Sequence, residues 1–541
     1  MTATHTVENQ VELRAGVNAY TEDPLVVELV GAAAPWATGR CQALGAVVGD
    51  PATMELARLA NRHHPELRTH DPVGRRLDRV EFHPAYHDLM GMAFGHGVHA
   101  LSWTAGLPGA HVARAALSYL WNQAENGTGC PTGMAYAAVP ALREEAVLEP
   151  WLEKVTAFGY DPRHLPMAGK EAVTIGYGMT EKQGGSDLRA NQTRAVPVGK
   201  RGPGQEYLVT GHKWFFSAPM SDGFFVLAAA EAGVSCFFLP RLLEDGTPNR
   251  LHFQRLKDKC GNRSNASSEV EFSEAWGVLV GEEGRGIATA LTSADYTRLD
   301  FAVGSAGLQR RAIALALHHT EQRQAFGKPL AEHDSMRRML ADLILEWEAG
   351  TRLAFRVAAA ADSEEESEHL VLRLLTPVAK FWNCKRVSPV VEEALECIGG
   401  NAYVEEHPMA RLYREAPLNS VWEGTANMMV MDVERTLDRR PEALAAVLDE
   451  VRPTAGAHPE IARSLGLLDG VAAGGPRPNG RAVTTLLALT VQASLLARHS
   501  PPAVTDAFCQ ARLGEAPMPG FGVAELTPAQ MDTVVGRFFR R

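Results

Sequence analysis

The period of the hydrophobic pattern changes twice along this 541-residue chain, and that order limits the fold more than any single motif does. As far as Phe158 the sequence is rich in alanine and leucine, and Met54, Leu56, Ala57, Leu59 and Ala60 recur at helical spacing. From Ala172 the short runs VTIGYG, QEYLVTG, GFFVLAAA, VSCFFLP and SEVEFSEAWGVLVG, β-branched and aromatic, alternate with turn residues, as strands do. Helical spacing returns at Gly284 and continues through residues 335–361, 370–398 and 427–448. The expected fold is therefore α+β, with a helical domain over residues 1–170, a β domain over 171–280 and a second helical domain over 281–440. Residues 441–541 are expected to form a linker and an extra helical segment. Residues 66–78 read as a polar loop, and residues 453–480, dense in glycine, proline and alanine, as a partly ordered linker.

Composition removes several classes. No run approaches ~18 uninterrupted apolar residues, so no membrane span is expected. The polar start MTATHTVENQVELRAG lacks a secretion-signal pattern, and a cytoplasmic location is expected. Seven cysteines without a CxxC pair indicate neither a disulfide framework nor a thiolate metal site, so buried thiols and no metal are expected. A net charge of −11 opposes nucleic-acid binding by the surface as a whole, though not by a local basic face.

One carboxylate stands in a setting suited to acid/base work. Glu423, in SVWEGTANMM, is flanked by Val421, Trp422, Ala426, Met428 and Met429, and an apolar environment of that kind would raise its pKa and improve it as a base. The simpler alternative is that Glu423 starts a helix running through Met431 and Val433. Two further stretches offer surfaces for a flat, phosphorylated ligand. GYGMTEKQGGSD ends a β run in a glycine-rich turn, and HKWFFS supplies an aromatic wall. On the long helix, Ile287, Leu291 and Ala294 form a stripe reaching Arg298, which predicts a buried anionic partner for that arginine.

Taken together and in order, these stretches resemble the acyl-CoA dehydrogenase family. Met179–Glu181 with Gly185–Asp187 is similar to its flavin-contacting segment, RQAFGKPL at Arg323 to its R-x-x-F-G-x-P-L signature, ECIGGNAY to its diphosphate-binding glycines, and Val421–Thr425 to its Y-E-G-T. The departures, among them Trp422 for tyrosine and Met428–Val430 for I-Q-R, resemble the AidB-like branch, associated with the response to DNA alkylation. The resemblance implies a homotetramer with FAD between the β domain and the C-terminal helices. It implies FAD contacts from Met179, Thr180, Gly185, Ser186, Phe215, Phe216, Ser217, Trp422, Thr425 and Asn427, and from Arg323, Gly399 and Gly400 toward a neighbouring subunit. It makes Glu423 the base that takes the α-proton of an acyl-CoA. Trp422 and the altered loop at residues 261–267 are expected to narrow the acyl pocket. The resemblance also implies weak dehydrogenase activity, of the isovaleryl-CoA kind, and binding of double-stranded DNA. From Val451 onward nine arginines face six acidic residues, a net of +3, so the tail is the expected basic face, with Arg537, Arg540 and Arg541 as candidate phosphate contacts. A catabolic short- or branched-chain acyl-CoA dehydrogenase without a DNA role, and a flavin-stabilised structural protein, are the alternatives.

Overall fold

The computed structural model describes residues 4–514 and 520–540. The chain divides into two compact units, one made of residues 1–51 and 301–541 and the other of residues 52–300.

The first unit opens with helices α1 (Pro24–Ala33) and α2 (Thr38–Gly49). Asp23 caps α1 by accepting from the Val26 N–H at 3.2 Å, and Pro24 occupies the first turn, where a missing N–H costs nothing. The chain then enters the second unit through α3 (Pro51–Arg62). The residues read as a polar loop form an antiparallel hairpin, β1 (Glu66–His70) and β2 (Arg76–Glu81), followed by α4 (Pro84–Gly95), α5 (Leu101–Thr104), α6 (Ala110–Ala124), α7 (Gly129–Leu142) and α8 (Glu149–Val155). The hairpin escapes a hydrophobic reading because its strands carry mostly charged and polar residues. Arg68 and Glu81 pair across it at 2.8 Å, and only Val80 is buried.

The β domain contains β3 (Ile175–Gly178), β4 (Arg194–Pro197), β5 (Glu206–Ser217), β6 (Gly223–Ala230), β7 (Gly233–Pro240), β8 (Leu251–Leu256) and β9 (Ser267–Val280). The strand order is β3-β6-β4-β5-β9-β7, with β8 on β9, and the pairing of β7 back onto β6 closes the sheet around an aromatic core. That core includes Tyr207, Val209, Phe216, Phe224, Phe237 and Phe272. Two glycines of the GYG run serve this core rather than a ligand. A Cβ on Gly176 would lie 2.6 Å from the Phe224 ring and one on Gly178 would lie 2.8 Å from the Phe216 ring, so glycine is what lets these rings close over β3.

Helix α9 (Gly286–Gln322) leads out of this unit. The helical unit continues with the short hairpin β10 (Gln324–Ala325) and β11 (Lys328–Pro329), then α10 (Asp334–Ala361), α11 (Glu366–Ile398), α12 (Pro408–Glu415), α13 (Ala426–Arg439) and α14 (Pro441–Val451). It ends with α15 (Pro459–Ala472), α16 (Gly480–His499), α17 (Pro502–Arg512) and α18 (Pro528–Gly536). Helix α15 occupies most of the stretch expected to be a linker. Ile461, Leu465, Leu468 and Val471 repeat at helical spacing and are buried, and the helix forms in spite of Gly466 and Gly470 within it. Helix α16 is long and apolar enough to span a membrane, but 72% of its apolar window is buried, against α10, α13 and α15 among others, which makes it a core helix. The thiols are buried except that of Cys260, which is exposed, contrary to expectation.

Candidate active site

In the β unit the TEKQGGSD turn is built around a buried ion pair. Glu181 and Lys213 are both fully enclosed, and the Lys213 ammonium donates to Glu181 at 2.7 Å and to the Leu227 carbonyl at 2.7 Å. The same carboxylate accepts from the Gln192 N–H at 2.6 Å and the Thr193 N–H at 3.2 Å, and from the Gln183 amide at 2.7 Å. Burial pushes the Glu181 carboxyl up, but Lys213 and these donors outweigh it and hold the group at about 2. Trp214 donates its backbone N–H to the Thr180 carbonyl at 2.8 Å, so the strand carrying the aromatic wall is tied to the turn carrying Met179, Thr180, Gly185 and Ser186. Thr180 itself crowds Gly185, where a Cβ would lie 2.6 Å from the threonine hydroxyl.

Lys213 was not singled out from sequence, although its signal is legible. It shares the inward parity of Tyr207 and Val209 on β5, and a lysine at a core position requires an anion. A β-bulge between Lys213 and Phe216 shifts that parity by one, so it is Phe216 that is fully buried, against Phe224 at a ring separation of 4.3 Å in the core of the sheet. Its neighbour Phe215 is 49% exposed and does present a ring, with the Lys257 ammonium 4.8 Å from the ring centre. Ser217 is half-buried beside Ser267, their hydroxyls 3.4 Å apart. Arg298 is buried, and it pairs with Asp295, 3.2 Å away on the preceding helical turn and 38% exposed.

In the helical unit Glu423 does not begin a helix. It sits in a left-handed conformation, φ +53°, immediately before Gly424 at φ +97°, and α13 starts only at Ala426. The left-handed region is costly for a glutamate, by roughly 1–3 kcal/mol, so the surrounding structure must impose it. Two contacts do so. The buried Lys380 of α11 donates to the Gly424 carbonyl, and Trp422 stacks on Phe301 with ring centres 4.4 Å apart. Met429 beyond the turn is buried with Phe381 and Val430. The apolar enclosure expected around Glu423 is absent from this unit, and the carboxylate is exposed. The apolar neighbours in sequence turn away because the left-handed pair reverses the chain, sending Met429 inward and Glu423 outward. Lys380 has a sequence signal too: it lies one helical turn after Thr376 and one before Cys384, both buried.

The remaining expected contacts are spread over the same unit. Thr425 stands at the N-cap position of α13 without a side-chain capping bond, and Asn427 accepts from Arg481 at 2.7 and 2.9 Å. Arg323 donates to the Asn9 carbonyl, beside a hairpin whose tip residue Phe326 is 96% exposed. Gly399, at φ +82°, and Gly400 end α11 with nothing within 4 Å of their Cβ positions. The tail arginines depart most from expectation. Arg537 binds Glu348 at 2.9 Å, Arg512 binds Asp342 at 2.5 Å and Glu346 at 3.0 Å, and all three acids are buried on α10. Arg452, Arg477 and Arg498 pair with Asp469, Asp438 and Glu450, while Arg463 and Arg481 donate to the Leu513 carbonyl and Asn427. Arg477, Arg481, Arg498, Arg512 and Arg537 hold the tail onto the earlier helices, and Arg452 and Arg463 tie parts of the tail to each other. Arg540 is exposed, and Arg541 lies outside the described residues.

Three family profiles match this chain in the order that its fold presents. The adaptive response protein AidB N-terminal domain matches residues 9–162, the acyl-CoA dehydrogenase middle domain residues 176–275, and the acyl-CoA dehydrogenase C-terminal domain residues 284–437. The AidB protein of Escherichia coli (strain K12) is 42% identical over 94% of each chain. A mitochondrial isovaleryl-CoA dehydrogenase from Oryza sativa subsp. japonica is 28% identical over 48% of this chain and 62% of its own. The structure of Caenorhabditis elegans ACDH-11 in complex with C11-CoA superposes with a TM-score of 0.84 at 23% identity, covering 99% of this chain and 93% of the other. The chain belongs to the acyl-CoA dehydrogenase family, a family of FAD-dependent oxidoreductases. Within that family it is an AidB-like member.

The residues present fit FAD. Phe215 offers an exposed ring in the β unit, and in the helical unit the Trp422 indole N–H is buried without a partner while Gly399 and Gly400 leave space at Cβ. A buried donor left unmatched costs about 1–3 kcal/mol, which a ligand acceptor would relieve.

Proposed function

We propose that this protein oxidises a short or branched acyl-CoA to the enoyl-CoA, with Glu423 taking the α-proton. The observation that carries this reading is the strained, anchored turn at Glu423. A carboxylate held outward in the left-handed region by Lys380 and Trp422 is placed for a reacting group at a stated backbone cost. Bound FAD supplies the acceptor for the hydride that leaves the β-carbon. The α-proton goes to the Glu423 carboxylate, and the electron pair of the broken α C–H bond becomes the new double bond. The stacked Trp422 and Phe301 set a bulky wall one residue from the base, which favours a compact acyl chain. Anaerobic mixing of the purified flavoprotein with isovaleryl-CoA is expected to bleach the flavin absorbance. An unchanged spectrum with every short and branched thioester tried would overturn the reading.

The identity with AidB over nearly the whole chain, and the adaptive-response profile at residues 9–162, support a second role in the response to DNA alkylation, through binding of duplex DNA by a homotetramer. The exposed Phe326 at a hairpin tip supports assembly, because a fully exposed aromatic gains by burial against another copy. With Arg537 engaged by Glu348, the phosphate contacts fall to Arg540 and to other exposed cations. Duplex affinity is expected to fall with log salt at a slope near −0.9 per neutralised phosphate, and Arg540→Glu is expected to flatten that slope. Retention that is absent at low salt, or equally steep in Arg540→Glu, would remove this role from the tail.

A further inference from the structure

A cavity of about 500 Å³ lies wholly within the unit of residues 52–300, lined by the β2 hairpin strand, α4, the start of α7 and the loops at residues 160–170 and 218–221. One side is apolar, formed by Phe82, Tyr86, Met90, Pro131 and Met220, and the Phe82 and Tyr86 rings stack 4.2 Å apart. The other side carries Arg79, Lys170, Arg241, His164 and Ser221. None of these residues takes part in the chemistry assigned to Glu423.

The acids near the cavity are already engaged. Asp161 binds Arg163 at 2.6 Å, Glu81 binds Arg68 at 2.8 Å, and Asp222 is shared by Lys170 at 2.6 Å and Arg241 at 3.6 Å. Arg79 is left with no carboxylate partner among the described residues. It faces Arg68 across the hairpin, and its charge also opposes Arg241 and His164. Like charges opposed in this way are unfavourable, so the arrangement calls for an anion. His164 is desolvated and faces Arg241, Arg79 and Lys170, which together bring it down to about 4, so its ring is neutral at pH 7. Its Nδ1 lies 2.6 Å from the Arg241 guanidinium and must accept, which leaves the ring proton on Nε2 as a donor. The Ser221 hydroxyl, in a residue only 2% exposed, has no hydrogen-bond partner among the described residues.

We propose that this cavity binds a small carboxylate with a compact aromatic or branched apolar body. The Arg79 guanidinium presents a planar fork that matches a carboxylate, Lys170 and Arg241 with only Asp222 between them add to the positive field, and the buried serine hydroxyl supplies a further donor. The apolar wall takes the body of the ligand, and the volume falls in the range of small-molecule sites, about 300–1,000 Å³.

Calorimetric titration of the full-length FAD-loaded protein with benzoate, with benzyl alcohol as the neutral control, tests this. Benzoate is expected to bind once per chain, and Arg79→Gln, an exposed edge-strand change that spares the core, is expected to weaken it roughly tenfold, the usual effect of losing a charge-assisted hydrogen bond. Ser221→Ala should weaken it less, and Glu423→Gln should leave it unchanged, which separates this site from the one that carries the redox chemistry. Absence of benzoate heat at millimolar concentration, equal binding of benzyl alcohol, or benzoate affinity indifferent to Arg79→Gln would overturn the proposal. Binding of inorganic phosphate in place of benzoate would overturn the assignment to carboxylates.

Discussion

Replacing Lys213 by methionine is expected to destabilise the β unit by about 3–5 kcal/mol, because the change strands the Glu181 carboxylate in a site from which water is excluded. The methionine itself costs little, since it nearly matches the lysine stem in volume, so the loss comes from the unpaired anion. Adding Glu181→Leu should recover only part of the stability. The second change removes the buried charge, but it also removes the acceptor for the Gln192 and Thr193 N–H groups. The pH dependence carries a separate signature. Glu181 titrates at about 2 in the folded chain against an ordinary 4.5, so its contribution is fully present above pH 4.5 and is lost as pH falls toward 2. Thermal unfolding followed by tryptophan fluorescence should show a lower midpoint for Lys213→Met at pH 7, with a difference from the parent that shrinks on acidification. A midpoint that does not move would mean that the pair contributes nothing to the unit. Flavin affinity should fall as well, because Lys213 holds, through Glu181, the turn bearing Thr180 and Ser186.

The pattern of success in the sequence reading has a physical basis. Helices α10, α11 and α16 were legible because long apolar stripes survive any local ambiguity, and the β domain because its runs alternate between turn residues. The β1–β2 hairpin is not legible in the sequence, since its strands are ELRTH and RLDRVE with only Val80 buried, too little for a hydrophobic period to report. Helix α15 is hidden by Gly466 and Gly470 within it and by the glycines and prolines on either side. At the site, residue types were read more reliably than directions. Phe215 and Phe216 together suggest an aromatic wall, but adjacent strand residues point to opposite faces, and the bulge after Lys213 leaves only Phe215 exposed. For the tail, net charge was a poor guide. The excess of arginine compensates Asp342, Glu346 and Glu348, carried on a helix more than a hundred residues earlier, so the expected basic face is largely an internal clasp.

For Glu423→Gln the expected result is a loss of about 10²–10⁴ in the rate of flavin reduction by acyl-CoA, with the bound flavin spectrum unchanged. Glutamine keeps the size of the side chain and can occupy the same left-handed turn, so the fold and the Lys380 contact to Gly424 should persist. What it cannot do is accept the α-proton. Lys380→Met provides the contrast that separates a base from its support. Without the ammonium on the Gly424 carbonyl one of the two contacts that impose the strained φ of Glu423 is lost, and the residue should spend part of its time in other backbone conformations. Its carboxylate remains chemically competent, so the rate should fall because the productive placement is populated only part of the time, and it should fall less than in Glu423→Gln. The two variants also differ in what excess base can do. A small exogenous carboxylate has no turn to refold in Glu423→Gln and could restore some reduction, whereas in Lys380→Met the lost order of the backbone is not replaced by a diffusing base. Flavin reduction in Glu423→Gln at the parental rate would move the base to another residue. Equal losses in the two variants would mean that placement, rather than proton acceptance, is what Glu423 supplies.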